Sequence, residues 1–101
     1  MDETRLELLH LIDGEAASLP TIVAETTRQG WQDKALACVS DLVAQAEIVA
    51  DDELTRLARD LDKVRLEGRA FDRGSPGLPR VTRLCGQIRD RVLELRLAGR
   101  T

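Results

Sequence analysis

The sequence predicts an all-α fold: an antiparallel four-helix bundle with a short additional N-terminal helix, forming a single helical-bundle domain over residues 1–101. Three observations carry this. The apolar set is dominated by 16 Leu and 11 Ala against 4 Ile and 7 Val, with Trp31 and Phe71 the only aromatics and no Tyr. That balance favours helix, because strands draw on β-branched and aromatic side chains. Apolar residues also recur at three- and four-residue steps, in segments punctuated by Gly, Pro and Asp. No segment alternates apolar and polar residues long enough to make a strand. With 43% hydrophobic and 33% charged residues, the chain is rich enough in apolar side chains to build one core without disulfide staples.

Taken in order, Asp2 caps a first helix over about residues 3–13, with Glu3 in its first turn and Gly14 as its stop. Its apolar residues Leu6, Leu8, Leu9, Leu11 and Ile12 cover more than one face, which predicts a helix gripped on two sides. Ser18-Leu19-Pro20 opens a second helix closed near residue 29 by Gly30, with Leu19, Ile22, Val23 and Thr26 on its buried edge. The third helix, about 31–50, carries one stripe of Ala35, Leu36, Val39, Leu42, Val43, Ala46 and Val49. Asp51-Asp52-Glu53 supplies the cap and first-turn acids of a fourth helix over about 52–67, whose core positions are Leu54, Leu57, Ala58, Leu61 and Val64. Residues 68–77 hold three glycines and a proline and form the one long loop. A last helix runs from Leu78-Pro79 to about Ala98, with the stripe Val81, Leu84, Cys85, Ile88, Val92 and Leu95.

The inventory of reactive groups is short. His10 is the only histidine, and neither Cys38 nor Cys85 has a histidine or second cysteine at metal-ligand spacing, so no metal site and no cofactor is expected. The two cysteines read as reduced, small apolar residues. Gly74-Ser75-Pro76-Gly77 lacks the Lys and following Ser/Thr of a phosphate-binding P-loop. Catalysis is not expected, and His10 reads as a surface or half-buried side chain. The start of the chain has no basic region followed by an apolar run, and no apolar run approaches the ~18 residues of a membrane span, which predicts a cytoplasmic protein with no membrane partner.

Charge is unevenly spread. Residues 1–68 carry 15 acidic and 7 basic groups, whereas residues 69–101 carry 3 acidic groups and 8 arginines. The last helix therefore packs its arginines against an acidic bundle or presents them to a partner. Nucleic acid ranks last as that partner, because Asp90 and Glu94 interrupt the arginines and no aromatic stands by for base stacking. On the third helix, Ala37, Ser40, Asp41 and Ala44 fall at i, i+3, i+4 and i+7 and form a strip of short side chains beside the apolar stripe. Such a strip leaves the backbone approachable, either by another helix of this chain or by a partner.

The run Ser40-Asp41-Leu42-Val43-Ala44-Gln45-Ala46, followed by Ala50-Asp51-Asp52-Glu53-Leu54 and then Leu54-Thr55-Arg56-Leu57-Ala58-Arg59-Asp60-Leu61-Asp62, resembles a histidine-containing phosphotransfer (HPt) domain. That family is a helical bundle that shuttles phosphoryl groups between aspartates of response-regulator receiver domains. The resemblance covers about residues 19–98 in helix order, with Gly30 and Leu36 near the small residue and the leucine that precede the family's histidine. Ser40 stands where the family has that phospho-accepting histidine, Val43 where it has a lysine, and Ala44 where it has a glycine. Serine offers no imidazole nitrogen to accept a phosphoryl group and valine cannot screen its charge. The resemblance thus implies a degenerate, non-catalytic HPt-like module that regulates a receiver domain or a histidine kinase by occupying its docking surface. The expected partner-binding residues are Ala37, Ser40, Asp41 and Ala44, with Arg83 and Arg91 on the last helix. The alternative is a small helical chaperone or assembly subunit, and both homo- and hetero-oligomers stay open.

Overall fold

A computed structural model describes residues 3–25, 27–64, 66 and 77–99. Among the described residues there are four helices: α1 (Glu3–Ala24), α2 (Trp31–Val49), α3 (Asp52–Asp62) and α4 (Gly77–Ala98). Among the described residues there is no strand, and the all-α helical bundle is what the sequence predicts. The helices form a ring in which α1 packs on α2 and α4, and α3 packs on the same two. Direction follows from the links between them. Gln32, at the start of α2, donates its side-chain amide to the Leu66 carbonyl beyond α3 (3.1 Å), and Thr55, early in α3, donates to Ala46 late in α2 (3.4 Å). The result is a slender rod with extents of 44 × 21 × 18 Å.

The core runs along the axis of this rod and takes one stripe from each helix: Leu9, Ile12, Ala16, Leu19 and Val23 from α1; Ala35, Val39, Leu42, Ala46 and Val49 from α2; Leu54, Leu57, Ala58 and Leu61 from α3; and Val81, Leu84, Cys85, Ile88 and Val92 from α4. Leu8, Ile22, Val43, Leu78 and Leu95 pack against its edge. No polar or charged residue is buried among the described residues.

The predicted extra helix is not a separate element. Gly14 does not stop the first helix and Pro20 does not start a second, because α1 passes through both without interruption. The reason is tertiary. The five buried α1 residues keep a continuous three-four spacing from residue 9 to residue 23, so a single helix buries all of them at once. Their burial, at roughly 1.5–3 kcal/mol for each large side chain, outweighs about 1 kcal/mol for a helical glycine and about 3 kcal/mol for a helical proline. The Ser18 hydroxyl donates to the Gly14 carbonyl inside this stretch at 3.0 Å. The helix ends at Ala24 rather than near 29, and Thr26, expected on a buried edge, lies outside the described residues.

Between α1 and α2 the chain turns through hydrogen bonds from Arg28 to Glu25 and from Trp31 to Arg28. Gly30, at φ 81°, is the left-handed residue from which α2 begins, a conformation that glycine adopts without penalty. Ala50 ends α2 in the same left-handed region, at φ 61°, and its amide donates to the carbonyls of Ala46 and Glu47. Asp51 follows at once as the N-cap of α3, accepting from the Leu54 amide at 3.0 Å, as the Asp-Asp-Glu run predicts. The helix α3 stops at Asp62, short of the predicted residue 67, because Val64 closes a tighter turn onto the Leu61 carbonyl. Val64 and Leu66 are buried although neither is helical. Asp2, Gly68 and the loop between Gly68 and Gly77 lie outside the described residues.

Candidate functional site

The strip of short side chains on α2 is on the outside of the bundle. Ala37, Ser40, Asp41 and Ala44 are all exposed, because a helix advancing ~100° per residue that buries Ala35, Cys38, Leu42, Ala46 and Val49 must turn these four away from the core. Two large apolar side chains bracket the strip. Leu36 is 55% exposed and Ile48 is 66% exposed, one at each end. The sequence placed Leu36 on the buried stripe, and the structure corrects this: Ala35 and Val39 take the core-facing positions and turn Leu36 off the contact with α3 and α1. Val43 is half-buried at the edge of the core.

Where α2 meets α1, the acidic Asp41 comes against Glu15. Cys38 fixes the register by donating its thiol to the Glu15 carbonyl at 3.4 Å. Burial raises the Glu15 pKa above the usual carboxylate range, and the nearby charge of Asp41 raises it further. One Glu15 oxygen, Oε2, and the Gln45 Oε1 are buried without a hydrogen-bond partner. No ion pair involves Glu7, Glu15 or Asp41 among the described residues. One turn before Glu15 on α1, Leu11 is half exposed on the side that faces α2. Leu11 and Ile48 thus flank the acidic seam.

The two expected arginines on α4 differ. Arg83 is exposed. Arg91 is drawn into the bundle: its Nε and Nη2 donate to Asp51 at 3.0 and 2.8 Å, and its Nη1 donates to Glu94 at 3.0 Å. Asp51 holds the Arg91 guanidinium firmly protonated, and Arg91 in turn holds the Asp51 carboxyl below the usual range. The geometry assigns Arg91 to the junction of α3 and α4 and brings neither arginine to the α2 strip.

The structure adds residues that sequence reasoning did not select. Leu93 and Leu97 stand about half exposed on α4, one turn apart and off its buried stripe. Leu6 on α1 is also exposed, seven residues before Asp13, which accepts from Arg89 of α4 at 3.0 Å. A groove of about 360 Å³ runs along this seam, lined by Asp13, Gly86, Arg89, Asp90, Leu93 and Arg96. Their off-stripe spacing was visible in the sequence. Which off-stripe leucines meet a neighbour and which meet solvent was not.

His10 is exposed on α1, and Cys38 and Cys85 are free, buried thiols whose pKa values burial pushes up to about 12. Among the described residues no group of His, Cys, Asp and Glu could hold a metal ion, and no helix is long and apolar enough to cross a membrane. No protein-family model, curated protein or solved structure matches this chain.

Proposed function

We propose that this chain is a non-catalytic, HPt-like docking module that binds a cytoplasmic signalling partner, a receiver domain or a histidine kinase, through the outer face of α2. The observation that carries this reading is the exposed strip Ala37, Ser40, Asp41 and Ala44, set between the exposed Leu36 and Ile48. Short side chains in the middle of a helix let a partner backbone approach, and a large apolar residue at each end supplies the buried area that an interface core requires. Ser40 sits at the centre of the strip, at the position where the resemblance places the docking centre of the family. With serine there, binding proceeds without phosphoryl transfer, and occupancy alone regulates the partner. Arg91 is not part of this surface, since Asp51 and Glu94 already hold it.

The test is calorimetric titration of purified receiver domains and kinase dimerisation domains from the same genome, with wild-type protein and with Ser40→Arg. Ser40 faces solvent, so the variant should fold with a stability within about 0.5 kcal/mol of wild type. At a docked face the added side chain collides and buries an unpaired charge, which abolishes binding. Binding by the variant as tight as wild type, or no binding of any such domain by the wild type, overturns the reading. The assembly-subunit alternative draws its support from the exposed leucines on α1 and α4.

A further inference from the structure

On the seam between α1 and α2, two carboxyl groups come together with no cation paired to either among the described residues. Glu15 belongs to α1, at the point where the Cys38 thiol donates to its backbone carbonyl. Asp41 and Gln45 follow Cys38 at three and seven residues, on the same face of α2. Glu15 and Gln45 are half-buried, and Glu15 Oε2 and Gln45 Oε1 are sealed from water without a hydrogen bond. Both atoms are acceptors, so what they lack is a donor. The charged groups of the surrounding helices do not supply it. Arg89 of α4 is held by Asp13 and Arg59 of α3 by Glu47, while Lys34, one turn before Cys38 on α2, pairs with neither Glu15 nor Asp41. Cys38 is a thiol kept protonated by burial, with its hydrogen directed at the Glu15 backbone. The raised pKa of Glu15 agrees with this setting, and its first cause is burial.

We propose that the α1/α2 seam binds a proton at Glu15, and that this proton governs docking at the α2 strip. A carboxylate only accepts hydrogen bonds, whereas a carboxyl also donates one. A proton taken from water onto Oε2 gives the seam its missing donor, and the acceptors that α2 brings to Glu15 are Gln45 and Asp41. The same proton leaves one negative charge on the pair in place of two, which relieves the repulsion between them. Asp41 is itself a member of the exposed strip. A partner seated on the strip takes water from Asp41 and from the Glu15 beside it, and this makes an ionised Glu15 costlier still. Docking therefore draws a proton onto Glu15, and binding tightens as pH falls through the Glu15 transition. This coupling rests on the docking reading, whereas the proton site stands without it.

Carbon-13 NMR of the side-chain carboxyls in the free chain reads the proton directly, from about pH 3 to about pH 8, a span that brackets the ordinary glutamate value of about 4.3. The wild-type Glu15 midpoint should lie above that ordinary value, and it should fall in Asp41→Asn, which removes the neighbouring charge at an exposed position. An ordinary Glu15 midpoint, or one that Asp41→Asn leaves unmoved, overturns the proton site. A second arm repeats the calorimetric titration with receiver and kinase domains at several pH values. Wild-type affinity should rise by up to about tenfold for each unit that pH falls through the Glu15 midpoint, the limit for uptake of a single proton. Glu15→Gln, uncharged throughout and checked for folding by circular dichroism, should lose that dependence and still bind. A wild type and a Glu15→Gln variant with the same pH dependence overturn the coupling. If the wild type binds no such domain, the docking reading and the coupling fall together, and the free-chain titration alone decides the proton site.

Discussion

Replacing Asp51 by alanine removes two supports at one point of the fold. The Asp51 carboxylate caps α3 by accepting from the Leu54 amide, and both its oxygens accept from Arg91 of α4. Loss of an aspartate N-cap costs about 1 kcal/mol. The pair with Arg91 is more sheltered than an ordinary surface bridge, with the Asp51 side chain 11% exposed and that of Arg91 31% exposed. Its two charge-assisted hydrogen bonds contribute about 1–2 kcal/mol, below the fully buried value because Arg91 keeps Glu94 and reaches water. The sum for Asp51→Ala is about 2–3 kcal/mol, or a fall in Tm of roughly 10–20 °C for a domain of this size. Thermal denaturation followed by circular dichroism at pH 7 measures it. Asp51→Ser separates the terms, because serine caps a helix but cannot grip Arg91, and it should recover about 1 kcal/mol of the loss. The difference must also depend on pH. The folded Asp51 pKa is lowered, so the contribution is complete above the ordinary carboxylate value of about 3.9 and disappears as pH falls through the lowered folded value. A Tm change under about 3 °C, well short of 1 kcal/mol for this size, or a serine variant no better than alanine, refutes the two-part account.

Gly14→Ala should stabilise the protein by roughly 0.5–1 kcal/mol in chemical denaturation, because Gly14 lies inside α1 with open space where the Cβ would go. Destabilisation would show that the chain turns there after all. Glu15→Gln should raise Tm at pH 7, since a carboxyl whose folded pKa is raised penalises the folded state above its unfolded value of about 4.3. The gain should vanish near pH 3, where Glu15 is protonated in both states, and an equal gain at both pH values would exclude the burial of the Glu15 charge, beside Asp41, as its source. Cys38 and Cys85 should resist a thiol reagent such as 5,5′-dithiobis(2-nitrobenzoic acid) at pH 8 and react at once in denaturant, because burial holds both as thiols. Rapid labelling of the native protein would show that the bundle opens at the level of α2 and α4.

The fold class was legible because helical periodicity is a local property. The stripes of α3 and α4, the Asp51 cap and the burial of both cysteines follow from spacing and side-chain chemistry within a few residues, and the structure has all of them. The strip Ala37, Ser40, Asp41 and Ala44 is legible as a strip of short side chains, but the sequence leaves open whether another helix of this chain covers it; its exposure follows from where α1 and α3 pack on α2. What spacing within one helix does not contain is the position of its neighbours. Gly14 and Pro20 are breakers by local preference, and only the continuous groove between α2 and α4, filled by five side chains from Leu9 to Val23, makes one helix of that stretch worth their cost. Likewise Leu9 and Leu11, or Leu36 and Val39, are equivalent to any reading by residue type. Contact with a neighbouring helix buries one member of each pair and leaves the other at the surface. The ion pair of Arg91 with Asp51, forty residues apart, and the meeting of Glu15 with Asp41 depend on the same fact: the order of helices around the ring, fixed by packing along the whole length of the rod, decides which charges face each other.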